Sequence, residues 1–114
     1  MNDIVISDTT ALIILAKADA FSLLSNLFQK IYIPQAVYDE LMFKDDIVNY
    51  RINAFDRIEV KPVRDMATLE RIKTLKIDKG EVEAISLALE LNLMLIIDER
   101  KGRKIALHHE TKSA

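Results

Sequence analysis

The run "VISDTTALIILAK" passes from an extended apolar pattern straight into a helical one, and the change falls at an aspartate, Asp8. Comparable strand-like runs sit at Ile4–Ser7, Ile31–Ile33, Ile58–Lys61 and Leu93–Ile97. Each is short, mostly apolar and separated from the next by helical periodicity at about 9–17, 20–29, 34–43, 45–54, 65–76, 79–91 and 99–109. This alternation predicts a three-layer α/β/α domain: a central parallel sheet of four or five strands, joined by right-handed crossovers and covered by helices on both sides. The first and last strands, apolar along their length, are expected to be buried on both faces. Ligands in such folds collect at the carboxyl ends of the strands. Asp8 ends the first strand and Asp98 the last.

Nothing divides the chain. It carries no internal repeat, low-complexity segment or Pro/Gly/Ser-rich linker, so residues 1–114 read as one domain. Half the residues are hydrophobic, enough to build a core and to exclude a disordered tail. A net charge of −2 and a pI near 5.7 argue against a uniformly basic nucleic-acid binder and leave local patches open. The absence of cysteine removes disulfides, zinc–thiolate sites and thiol nucleophiles together, and fits a cytoplasmic protein. "MNDIV" is unlike the start of a signal peptide, and "ALIILA" and "LMLII" are too short to span a bilayer, so no membrane association is expected.

Two glutamates fall among apolar residues when the helical segments are projected at 100° per residue. In "DKGEVEAISLALEL", Glu81 shares a face with Val82, Ile85, Ala88 and Leu89, while Glu83, Ser86 and Glu90 cluster opposite and are expected to meet water. In "PQAVYDELMF", Glu40 lies beside Ala36, Val37 and Leu41, with Gln35 and Asp39 on the polar side. Simpler roles exist for each acid. Asp78 and Glu81 have the spacing of a capping box, Glu40 can snorkel from the margin of its stripe, and Asp8 and Asp98 can cap the helices that follow them. Four carboxylates converging on one end of a sheet would repel one another, and a hard divalent cation, Mg2+ or Mn2+, resolves that repulsion with oxygen ligands alone. His108 and His109 are adjacent in a polar tail and point in different directions, which makes them poor joint ligands.

The four blocks "VISDTTALIILAK", "IYIPQAVYDEL", "DKGEVEAISLALEL" and "LMLIIDERKGRKIA" together resemble the PIN-domain family, most closely its small stand-alone prokaryotic members of the VapC-toxin type. The resemblance implies a metal-dependent ribonuclease with an acidic site. Asp8 matches the first-strand acid, Glu40 the helix acid, Glu81 the acid opening the later helix and Asp98 the acid ending the fourth strand. Thr10 matches the hydroxyl position that follows the first acid, suited to a water or a phosphate oxygen. Relatives usually continue after "GRKIA" into a further strand and helix, so the last family strand is expected to be missing here. Many relatives also carry aspartate where Glu81 stands, and the longer arm favours a water-mediated role.

The resulting expectation is an endoribonuclease using Mg2+ or Mn2+, plausible as the toxin of a toxin–antitoxin pair, with RNA as substrate and a cognate antitoxin as partner. Asp8 and Asp98 would ligate the ion directly, and Glu40 and Glu81 through water. Arg100, Lys101, Arg103 and Lys104 in "ERKGRK" would offset the repulsion between these acids and the RNA backbone. One rival is a non-catalytic PIN-fold binding or regulatory protein. A second, an aspartyl phosphotransferase using Asp8 as nucleophile, wants an acid two residues later, where Thr10 stands. With the last family strand missing, "LMLII" becomes an apolar edge, and a homodimer that covers it is expected.

Overall fold

The computed structural model describes residues 3–44 and 46–98. Four parallel strands form its sheet: β1 (Ile4–Ser7), β2 (Lys30–Ile33), β3 (Ile58–Val60) and β4 (Leu95–Ile96). Among the described residues six helices connect them, α1 (Thr9–Lys17) and α2 (Phe21–Leu27) after β1, α3 (Gln35–Met42) and α4 (Asp46–Ala54) after β2, α5 (Met66–Lys73) and α6 (Lys79–Leu91) after β3. This is the α/β/α arrangement with a parallel sheet that the alternation predicts. The expected helix at 99–109 lies outside the described residues.

The strand order is β3-β2-β1-β4. The chain winds outward from β1 through β2 to β3, then returns to lay β4 on the other side of β1. In open parallel sheets ligands bind in the crevice at such a reversal, here at the carboxyl ends of β1 and β4. Ile6 N donates to Met94 O at 2.9 Å and Asp8 N to Ile96 O at 3.0 Å, so the β1–β4 ladder holds Asp8 next to the end of β4.

Val5, Ile6 and Ser7 on β1 are fully buried, as are Ile31 and Ile33 on β2; Leu12, Val37, Leu41, Val48 and Leu87 pack onto them from the helices. At β4 the expectation of burial on both faces fails. The strand has two residues, and Leu95 and Ile96 are only half-buried. Among the described residues β4 has a hydrogen-bonded neighbour on one side alone, the edge position expected for "LMLII", and an edge strand is less covered than a central one.

The single-stripe reading of α6 also needs correction. Leu89, placed on the apolar face, is exposed; Ser86, placed opposite, is fully buried and donates its hydroxyl to Val82 O at 2.7 Å. Glu83 and Glu90 are half-buried and in use. Glu83 Oε1 accepts from Ala36 N at 3.1 Å, and Glu90 Oε1 accepts from the amides of Arg64 and Asp65 at 2.8 Å each. The reason is that α6 packs against α3, α5, β1 and β4 together, so contacts surround most of its circumference. A helical projection assumes one buried face. Here the acids on the supposedly wet face hold the N-terminus of α3 and the approach to α5 in place.

No single helix among the described residues is long and apolar enough to cross a membrane. The bent pair α1 and α2, at 117° to one another, reaches that apolarity only when joined, and Leu12, Ala16, Phe21 and Leu24 from it belong to the core.

Candidate active site

Asp8 is the first residue past β1 and is fully buried. It caps α1: its Oδ1 accepts from Ala11 N at 2.9 Å, which satisfies one of the open amides of the first turn. Its other oxygen, Oδ2, accepts from Asp98 N at 3.3 Å across the crevice. Capping and a place in the site are thus compatible. Each carboxylate oxygen has two lone pairs and spends one on a backbone amide. The arrangement clamps the carboxylate in orientation and brings Asp98, two residues beyond β4, beside it.

Glu81 is buried, as its projection among apolar residues predicts, and lies in the first turn of α6. Asp78 caps that helix by accepting from Glu81 N at 3.0 Å, so the first half of the expected capping box is present. Glu40, half-buried on α3, reaches the same turn. A Cβ added to Gly80 would run into Glu40 Oε1 and stand 3.2 Å from Thr9 Oγ1. The α6 N-terminus is a favourable place for a carboxylate, because the helix dipole and open amides face it.

Two residues that the sequence reading passed over therefore belong here. Thr9 is 5% exposed, and its Oγ1 is a buried oxygen without a hydrogen-bond partner among the described residues. Gly80, buried in the first turn, leaves the space that Glu40 enters. A signal existed for the glycine, since alanine suits a helical position better and an isolated glycine there usually has a packing or functional reason. None distinguished Thr9 from Thr10. Thr10 is half-buried one position further along α1, while Arg100, Lys101, Arg103 and Lys104 lie outside the described residues.

The site thus joins two groups through neighbours in sequence: Asp8 with Asp98, and Glu40 and Thr9 each placed against Gly80, which precedes Glu81. Among the described residues, no three Asp, Glu or His side chains converge as a ready-made metal cage. A family model described as a PIN domain matches residues 4–113. The chain belongs to the PIN-domain family. No curated protein matches the sequence at a significant level. PIN domains are a nuclease-type fold, and PIN-domain nucleases usually use divalent metals.

The residues of this PIN domain fit such an ion in kind. The donor set is all oxygen, and the Thr9 hydroxyl, without a hydrogen-bond partner among the described residues, is a buried polar atom of the sort that a bound water or ligand satisfies. Mg2+ in particular is commonly held by one or two carboxylates while keeping several waters, so a closed cage of three acids is not required.

Proposed function

We propose that this PIN domain is an endoribonuclease that hydrolyses RNA phosphodiester bonds with Mg2+ or Mn2+. The observation that carries the reading is the fully buried Asp8, clamped by two backbone amides beside Asp98 in the crevice where the strand order reverses. Asp8 and Asp98 would hold the ion, and Glu40 and Glu81 would orient its waters. When bound, such an ion would supply a Lewis acid and lower the pKa of the water it holds. The protein's own part is to hold its acceptors still. Asp8 is fixed by Ala11 N and Asp98 N, while Glu40 reaches from α3 to the first turn of α6. The nucleophile is water, and no covalent intermediate on the protein is involved.

Thr10 is proposed to contact a phosphate oxygen or a bound water, with Arg100, Lys101, Arg103 and Lys104 steering the RNA backbone. The same reading includes a role as the toxin of a toxin–antitoxin pair with a cognate antitoxin as partner. The test is cleavage of a labelled single-stranded RNA with Mg2+, with Mn2+ and with EDTA, for the wild type and Asp8→Asn. Internal cleavage that needs the metal and disappears in the variant is expected. Binding of RNA or of a protein partner without metal-dependent cleavage would instead identify the regulatory alternative. Induced expression arresting growth for the wild type and not for Asp8→Asn is the matching outcome in cells.

A further inference from the structure

Gly80 occupies the second position of α6, inside a helix with a side-chain cap at Asp78 and a left-handed C-cap at Asn92. Its backbone is ordinary, with no positive φ to demand glycine. Helix propensity also favours alanine. What sets the position apart is contact: the space a methyl group would take is filled by the Glu40 carboxylate, and Thr9 Oγ1 stands 3.2 Å from the same point. Thr9 is 5% exposed and its hydroxyl lacks a hydrogen-bond partner among the described residues, an expensive state for a group that could have been valine at equal size.

Both anomalies have one explanation. We propose that Thr9 and Gly80 form the seat of the Glu40 carboxylate, Gly80 by having no side chain and Thr9 by donating its hydroxyl to the carboxylate through one bound water. The two are positioning residues for the site read above as a nuclease, and the inference rests on that reading where activity is concerned. A carboxylate held against the first turn of α6 from one side and a hydroxyl at the first turn of α1 from the other has little freedom. A stable seat matters because displacement of about an ångström in a catalytic group can cost on the order of 10²-fold in rate.

The experiment compares the wild type with Gly80→Ala, Thr9→Val and Thr9→Ser in three measurements: melting temperature in EDTA, Mn2+ affinity by electron paramagnetic resonance without RNA, and kcat and KM for RNA cleavage. Gly80→Ala and Thr9→Val are expected to melt at or above the wild-type temperature, since one gains helix propensity and the other loses an unsatisfied hydroxyl. Both should bind Mn2+ more weakly and lose kcat by about 10²-fold with KM little changed. Thr9→Ser, which keeps the hydroxyl, should recover most of both. Wild-type Mn2+ affinity and kcat in Gly80→Ala and Thr9→Val would overturn the seat, as would a lowered melting temperature in both. If the wild type itself cleaves no RNA, the nuclease reading fails, and crystal structures decide the seat alone. Glu40 linked to Thr9 through a bound water in the wild type and displaced in Gly80→Ala upholds it; Glu40 turned to solvent in the wild type sinks it.

Discussion

Asp8 performs two jobs with two oxygens. Its Oδ1 caps α1, its Oδ2 receives the amide of Asp98, and the residue is fully buried at the end of the central strand. The jobs separate by substitution. Asparagine is as good an N-cap as aspartate, whereas alanine offers no acceptor. Asp8→Ala should therefore be less stable than Asp8→Asn by about 1 kcal/mol in metal-free buffer, measured by urea unfolding. Cleavage should be lost equally in both, because Asn retains the cap and not the anionic ligand. Equal stability of the two variants would mean that the cap contributes nothing.

The helices are tied to one another by carboxylates as much as by apolar contact. Pro34 opens α3 without a side-chain cap, and Glu83 from α6 fills the vacancy by accepting from Ala36 N. Glu90 does the same for the approach to α5, whose own cap, Asp65, accepts from Thr68 N and from the Thr68 hydroxyl at 2.7 Å. The Thr68 hydroxyl above all, then its amide, holds the Asp65 carboxyl below the usual aspartate range. A folded-state pKa below the unfolded one contributes stability that is complete above about pH 3.9 and is lost as the pH falls through the folded value. The urea midpoint of the wild type should therefore exceed that of Asp65→Ala by a constant margin from neutrality to about pH 5, and the margin should shrink below about pH 4. A margin that stays constant into acid would assign the effect to lost packing instead.

At the scale of the molecule the sheet is asymmetric. β1 is buried between β2 and β4, while β4 is a two-residue strand with a hydrogen-bonded neighbour on one side among the described residues. An apolar strand edge is a template for pairing with another chain, and proteins generally cover or charge it. The expected homodimer would cover β4 with a second copy. Light scattering at micromolar concentration should then give twice the 13.0 kDa chain mass, and dilution should speed hydrogen exchange at Leu95 and Ile96. A monomer whose exchange does not change with concentration would remove the dimer and leave the edge to intramolecular cover.

The sequence by itself determined the order and type of the elements, because period-2 and period-3.6 patterns are local and the two patterns alternate with little ambiguity. Ile4–Ser7, Thr9–Lys17 and Lys79–Leu91 lie where those patterns put them, and the acids at the ends of β1 and beyond β4 follow from strand ends alone. The buried position of Glu81 was legible for the same reason. Only the tertiary structure decided what surrounds a side chain. Glu83 looks solvated until α3 is brought against α6, and Leu89 looks buried until that face is found open. Thr9 is one of two adjacent threonines in the sequence. It becomes part of the site only because Gly80, 71 positions further on, has no side chain to fill the space that Glu40 enters.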